Sequence, residues 1–160
     1  NGYFKGYQLQ QMQQKMIVRD FTKAWLIADF IKAEVHGSLV SKMIEEGKLL
    51  YTLSVLLPSY TENEIVGYSD AEFRWATENE SKLWKTLVDQ KKINTTDLRI
   101  ISLYLNEQTT ELPMKNSPVN IGAWIGLQIV KKYASESKQP IDKVLESTSQ
   151  DILKGSKYKP

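Results

Sequence analysis

The fold follows from one stretch of sequence, SPVNIGAWIGLQIVKKY, which spans residues 117–133. In a helix with this sequence, apolar side chains lie on almost every side, as is typical of a helix in the middle of a bundle. Ser117 stands in an N-cap position, and Pro118 follows in the first turn, where its missing amide hydrogen costs nothing. We therefore predict a central helix over residues 118–133.

The same stretch contains two glycines on one side of the predicted helix. Gly122 and Gly126 are four residues apart, and Trp124 lies between them in the sequence. The spacing resembles a motif that pairs helices inside membranes, but the apolar flanks are too short for a membrane helix. We interpret the glycines as sites of tight helix packing in a protein core.

Several other stretches have apolar residues at spacings of three and four, which is the period of a helix. Ser69 and Glu72 form a capping box, and Gly47 indicates either a close helix crossing or a helix break. The predicted helices cover residues 17–31, 38–56, 69–87, 98–105, 141–145 and 147–153, with Gly155 ending the last one and loops over 58–67 and 106–116. No alternation typical of a strand exceeds four residues. We predict an all-α bundle of about six helices in a single helical domain, residues 1–160, with the glycine-bearing helix at its centre.

Composition narrows the functional classes. The chain has 160 residues, of which 41% are hydrophobic and 25% charged, enough for one well-filled core. A net charge of +2 and a pI near 8.6 are too mild for a phosphate-backbone binder, so we expect no nucleic-acid partner. The chain has no cysteine, which excludes disulfides, cysteine-based zinc sites and thiol catalysis. The longest nearly apolar stretch, Leu49–Leu57, is far shorter than the roughly 20 residues of a membrane-spanning helix.

Motifs for catalysis are incomplete. His36 is the single histidine of the sequence, whereas H-E-x-x-H zinc proteases need two, one helical turn apart. Glu46, followed by Gly47, resembles the isolated zinc-ligand glutamate of such enzymes, although a solvated helix face is the commoner place for such a residue. Lys48 follows Gly47 without the rest of a phosphate-binding loop. The sequence therefore predicts no catalytic residue, no metal ligand and no cofactor.

Glu80 is the one carboxylate that falls within an apolar helical stripe. The stripe consists of Phe73, Ala76, Leu83, Trp84 and Leu87. A carboxylate in such a position must be paired, hydrogen-bonded or protonated. Lys48, Arg74 and Lys131 are candidate ion-pair partners, and the side chain of Asn79 is a candidate neutral donor. We predict that Glu80 is substantially buried and links two helices, which is a commoner role for such a group than catalysis.

A set of ordered motifs resembles the family of gliding-motility lipoproteins named GldB. The blocks are Met43-Ile44, Gly47-Lys48-Leu49-Leu50-Tyr51, Leu57-Pro58, Ile65-Val66-Gly67-Tyr68-Ser69, Trp75, Asn79-Glu80, Leu83-Trp84, Ser117-Pro118, Ile121 to Val130 and Lys157-Tyr158-Lys159-Pro160. Ile17 to Asp20 fits more loosely. Residues 109–116 and Leu127 depart from the pattern of the family. The resemblance spans nearly the whole chain.

This resemblance implies the C-terminal part of a longer outer-membrane lipoprotein of Bacteroidetes that faces the periplasm. It implies association with the gliding and type IX secretion machinery, with the membrane contacted only through an N-terminal lipid anchor outside this sequence. The family is in turn distantly similar to predicted zinc proteases with H-E-x-x-H and a later Glu-Gly block, to which Glu46-Gly47 would correspond. A zincin-like helical scaffold without protease chemistry is compatible with both likenesses.

Three functions follow as hypotheses. The first is a non-enzymatic interaction domain whose partners are envelope proteins of the gliding or secretion machinery, contacted through exposed loop positions such as Glu107 and Lys115. The second is a degenerate, zinc metalloprotease-like hydrolase with some ligands outside this sequence. The third is a periplasmic module that holds a peptide or glycan between helices.

Overall fold

A computed structural model describes residues 14–29 and 37–160. The secondary structure of these residues consists of helices joined by loops, with no strand. The described helices are α1 (Gln14–Asp29), α2 (Leu39–Leu56), α3 (Glu62–Val66), α4 (Asp70–Glu78), α5 (Glu80–Asp89), α6 (Leu98–Leu105), α7 (Ile121–Ser137), α8 (Ile141–Glu146) and α9 (Ser149–Ser156). The all-α prediction is confirmed. His36 and the predicted end of the first helix at residues 30–31 lie outside the described residues. None of the described helices combines the length and apolar content needed to cross a bilayer.

The bundle is built around the crossing of α2 and α7, which pack most extensively against each other. Gly47 and Gly126 meet at this crossing. A Cβ atom on Gly126 would overlap the backbone carbonyl of Met43, and one on Gly47 would overlap the backbone of Gly126. Because backbone cannot move aside as a side chain can, only glycine fits at both positions. Helix α2 continues through Gly47 without a break, so the close crossing is the alternative that the structure adopts.

The central helix is enclosed by the others. Trp124 is 2% exposed, and Gly122 packs against Tyr104 and Leu105 of α6 and Met43 of α2. The buried residues of α7 are Ile121, Gly122, Ala123, Trp124, Ile125, Gly126, Leu127, Ile129, Val130 and Tyr133. Helix α9 covers a further part of α7 and also touches α2. The position of α7 in the core agrees with its apolar sequence.

The beginning of the central helix differs from the prediction. Helix α7 begins at Ile121, and Asn120 before it is left-handed, with φ 54°. Asparagine tolerates that region better than most residues, so the chain turns there and only then enters the helix. Ser117 is buried, and its Oγ has no hydrogen-bond partner among the described residues. Ser117 is therefore not the N-cap, and the helix runs on to Ser137.

The described helices number nine rather than about six, and two of the additional ones arise from local capping. The predicted loop at 58–67 contains α3, whose capping box consists of Thr61 and Glu64. The predicted helix over 69–87 is broken at Asn79, where the amide Nδ2 donates to the carbonyl of Trp75 at 2.8 Å. Side chains that hydrogen-bond the unpaired amide and carbonyl groups at a helix end can start or stop a helix. They do so without changing the spacing of apolar residues along the sequence.

The last helix also differs in its ends. Its N-cap is Thr148, whose hydroxyl accepts from the amide of Asp151, rather than Ser147. Gly155 lies inside the helix, which ends at Ser156, with Lys157 in the left-handed region at φ 49°. The predicted cap at Ser69 is present, and Ser38 caps α2 in the same way: both hydroxyls accept hydrogen bonds from the first turns of their helices.

We expect Gly126→Ala to destabilise the fold by about 1–3 kcal/mol or more, because the added methyl group forces α2 and α7 apart. Urea denaturation gives the free energy of unfolding. Ser135→Ala, at an exposed position of the same helix, is the control and should cost little. Equal stability of Gly126→Ala and the parent would mean that the two backbones are not in contact.

Candidate functional site

The structure gathers four charged side chains and one neutral amide beside the α2–α7 crossing, and we call them the charge cluster: Arg19, Lys23, Glu46, Glu107 and Asn120. Four separate parts of the chain supply them. Arg19 and Lys23 come from the inner side of α1, Glu46 from α2, Glu107 from the segment after α6, and Asn120 from the residue before α7. Their proximity depends on tertiary packing.

Arg19 fixes α1 to the bundle. It is 8% exposed. Its Nε donates to the carbonyl of Ile65 and its Nη2 to that of Val66, each at 2.9 Å. These carbonyls belong to the last turn of α3, where backbone acceptors are left without helical partners. The planar guanidinium reaches both at once, which the ammonium of a lysine would not do.

Lys23 and Glu107 form the ion pair of the charge cluster. Lys23 Nζ lies 3.0 Å from Glu107 Oε1, and Asn120 Nδ2 donates to the same oxygen at 3.3 Å. Burial alone would raise the pKa of the Glu107 carboxyl, but the charges of Lys23 and Arg19 outweigh it, so this pKa lies below its ordinary value. Glu107, predicted to be a free contact position of the 106–116 loop, is thus engaged within the molecule.

Glu46 is the carboxylate of the charge cluster whose negative charge is less well compensated. Burial raises the pKa of its carboxyl, the charge of Lys23 opposes this, and the neighbouring carboxylate of Glu107 adds to it. Two carboxylates therefore share the field of one lysine, and Glu107 holds the direct contact. No group of three or more histidine, aspartate or glutamate side chains within residues 14–29 and 37–160 is arranged to hold a metal ion.

Arg19 and Lys23 are four residues apart on one helix, and α1 turns them toward the cluster that contains Glu46. This is the spacing at which an H-E-x-x-H protease presents its two histidines. A guanidinium and an ammonium have no lone pair to offer a metal ion and repel its charge. Arg19 and Lys23 are therefore not metal ligands.

Lys48 lies on the other side of the crossing, in a separate contact. It is 6% exposed, and its Nζ lies 3.0 Å from Glu45 Oε1. Ser149 Oγ donates to the same oxygen at 2.9 Å. The three side chains attach α9 to α2. Lys48 therefore pairs with its own helix and not with Glu80.

Glu80 has a partner that the sequence analysis missed. It is half-buried at the start of α5, and Tyr158 Oη donates to its Oε1 at 2.5 Å. The ring of Tyr158 also packs edge-on against Trp84, with centroids 4.9 Å apart. Burial raises the pKa of the Tyr158 phenol, and the Glu80 carboxylate raises it further. Glu80 is thus less buried than predicted, and its donor comes from the segment after α9 rather than from a lysine, an arginine or Asn79.

An open hollow of about 430 Å³ borders this contact. Its lining residues are Glu80, Gln128, Lys131, Lys132, Ser135, Glu136, Tyr158, Lys159 and Pro160. Glu62 of α3 binds two of them, accepting from Gln128 Nε2 at 2.6 Å and from Lys131 Nζ at 2.5 Å. The hollow is open to solvent and is not an enclosed pocket.

The outer side of α1 is apolar and exposed. The apolar spacing that predicts this helix does not bury its residues: Ile17 is 59% and Phe21 76% exposed, and Val18 and Ile27 are 44% and 49% exposed. Leu26 is the one fully buried apolar residue among those described in α1. The helix turns Arg19 and Lys23 inward and most of its apolar residues outward, the reverse of a usual surface helix.

The family model described as gliding motility protein GldB matches residues 1–160. The chain belongs to the GldB family. This family consists of gliding-motility-associated lipoproteins, proteins that a lipid holds at a membrane. No curated protein sequence and no solved structure matches the chain significantly.

Two of the GldB-like sequence blocks, distant along the chain, meet in the structure. Asn79-Glu80 and Lys157 to Pro160 are joined by the bond from Tyr158 to Glu80. Gly47 of another block contacts Gly126 of the long block in α7. In this GldB-family chain, residues of these four blocks therefore make contacts that hold the bundle together.

We expect Glu46→Gln and Glu107→Gln to change the pH dependence of stability in opposite directions. The folded-state pKa of Glu46 is raised, so its contribution is present at low pH and is lost as the pH rises through that pKa. The pKa of Glu107 is lowered, so its contribution is present above the unfolded-state pKa and is lost as the pH falls. Relative to the parent, Glu46→Gln should gain stability between about pH 3 and about pH 8, and Glu107→Gln should lose it.

Urea denaturation of the parent and both variants at the two pH values makes this comparison. The two variants are matched controls, since each removes one carboxylate beside the same lysine. A shift of both variants in the same direction would contradict the opposite environments of the two carboxyl groups.

We expect Tyr158→Phe to lower the free energy of unfolding by about 1–2 kcal/mol, because it removes a hydrogen bond to a charged, partly buried acceptor. A double-mutant cycle with Glu80→Ala isolates the pair. Tyr51→Phe is the control, because Tyr51 is a half-buried tyrosine whose hydroxyl has no hydrogen bond among the described residues. Additive effects of Tyr158→Phe and Glu80→Ala would mean that the two groups do not interact.

Proposed function

We propose that the chain is a non-enzymatic interaction domain of an outer-membrane lipoprotein that faces the periplasm of a Bacteroidetes bacterium. Its partners in this proposal are envelope proteins of the gliding or type IX secretion machinery. Membership of the GldB family supports the link to gliding. The observation that carries the interaction role is the exposed apolar side of α1, where Phe21 is 76% exposed.

The way in which α1 is attached supports this reading. Polar contacts hold the helix: Arg19 to the carbonyls of α3, Lys23 to Glu107, and Lys15 to Glu64 at 3.0 Å. These contacts leave Ile17 and Phe21 exposed. Contiguous apolar patches on a folded protein mark binding sites more often than they occur without function.

The charged groups near the crossing favour this function over a hydrolase. A zinc hydrolase needs neutral or anionic ligands around its metal, whereas α1 presents Arg19 and Lys23 to the space beside Glu46. Glu107 is hydrogen-bonded to both Lys23 and Asn120. These contacts join α1 to the segment after α6 and to the residue before α7, which is a structural task.

Site-specific crosslinking in the native host tests the proposal. A photoreactive phenylalanine analogue in place of Phe21 should capture envelope proteins of the gliding or secretion machinery. The same analogue in place of Leu98, which is 73% exposed on α6, is the matched control and should capture little. Mass spectrometry identifies the products.

No enrichment at position 21 over position 98 would contradict the interaction role. Peptidase activity of the pure chain that disappears in Glu46→Gln would replace it with the hydrolase hypothesis.

A further inference from the structure

The exposed apolar side of α1 has a regular seam. Ile17, Phe21, Ala24 and Ala28 are all exposed and follow one another at spacings of four, three and four residues. Such spacing keeps side chains in line along one side of a helix, as in the seam of a coiled coil. The first two members are large and the last two are small. We call these four residues the α1 seam.

The order of large and small residues makes the α1 seam complementary to itself. In an antiparallel pair of α1 helices with a two-fold axis between residues 22 and 23, Phe21 of one copy lies opposite Ala24 of the other. Ile17 then lies opposite Ala28 of the second copy. Each large side chain meets a small one, so the helices can approach to about 8 Å without overlap. A two-fold pair needs this kind of self-complementary surface.

From this geometry we propose that two copies of the chain associate through antiparallel pairing of their α1 helices. The inference rests on the proposed interaction role of α1 and names its partner as a second copy. The parallel arrangement is disfavoured because it would place Phe21 against Phe21 and Ala24 against Ala24, which leaves alternating overlap and gaps along the seam.

The exposed area is sufficient for such a pair. Ile17, Phe21, Val18 and Ile27 remain 59%, 76%, 44% and 49% exposed, and the two alanines are exposed as well. With side chains of these sizes, roughly 500 Å² of each copy is available, so complete coverage would bury about 1,000 Å² in the pair. This upper bound is the size of a weak, transient interface.

The charge next to the seam is already compensated. Asp20 flanks Phe21 and Ala24 on the outer side, and its carboxylate lies 2.5 Å from Arg19 Nη1 of the same chain. Pairing of two copies therefore does not bring an uncompensated carboxylate against the apolar surface. Arg19 and Lys23 also hold α1 in place before association, which lowers the ordering cost of binding.

Sedimentation equilibrium of the 160-residue chain, over roughly 1–200 µM, measures the association. The parent should approach twice the monomer mass. Phe21→Lys should weaken dimerisation by about tenfold or more and leave the circular dichroism spectrum unchanged, because the side chain is exposed. Leu98→Lys, on the exposed surface of α6, should dimerise like the parent.

Disulfide trapping determines the orientation, since the chain contains no cysteine of its own. A mixture of Ile17→Cys and Ala28→Cys chains should form a disulfide dimer under mild oxidation, and neither variant should do so alone. In the antiparallel pair, position 17 of one copy is opposite position 28 of the other, whereas identical positions lie about 16 Å apart along the helix axis, which is too far for a disulfide. Disulfide dimers from each variant alone would overturn the antiparallel arrangement.

A parent chain that is monomeric over the whole concentration range would overturn self-association. The crosslinking experiment then separates the two proposals. Capture of a different envelope protein at position 21 by a monomeric chain would leave the interaction role standing without self-pairing. A monomeric chain with no specific capture at position 21 would overturn both.

Discussion

Contact between the backbones of Gly47 and Gly126 is the constraint on which the rest of the structure depends. Two helices this close fix both their distance and their rotation, because the surrounding side chains must interlock. With Gly47 against α7, its neighbours in α2 point to either side of the contact. Glu46 lies in the charge cluster with α1, and Glu45 meets Ser149 of α9. The crossing thus decides which polar groups can meet.

The sequence contains much of the information for the helices and less for their ends. Apolar periodicity predicts the all-α fold, and the near-continuous apolar surface of residues 121–133 predicts the central position of α7. Helix ends depend on single side-chain bonds that leave no periodic signal. Asn79 breaks a helix by capping the carbonyl of Trp75, and left-handed Asn120 delays the start of α7.

The polar contacts were harder to predict, because their partners are distant in the sequence. An unusual carboxylate at position 80 could be noticed from the apolar stripe, but its donor is 78 residues away. Lys23 and Glu107 are 84 residues apart. The i, i+4 pair of Arg19 and Lys23 is the signal that could have revealed the charge cluster. Two basic residues at this spacing make one side of a helix positively charged, so that side should face carboxylates or carbonyl oxygens.

Helix α1 shows why hydrophobic periodicity alone does not decide which side of a helix is buried. Each side of α1 contains apolar residues that could pack against the bundle. Leu26 lies on the side of Arg19, and Ile17 lies on the side of Phe21. The bundle offers α1 the carbonyls of Ile65 and Val66 at the end of α3, to which Arg19 donates, and the carboxylate of Glu107, which pairs with Lys23. Leaving the two carbonyls buried without donors would cost about 1–3 kcal/mol each. These contacts, together with the burial of Leu26, turn the basic side of α1 inward, and its apolar seam is left exposed.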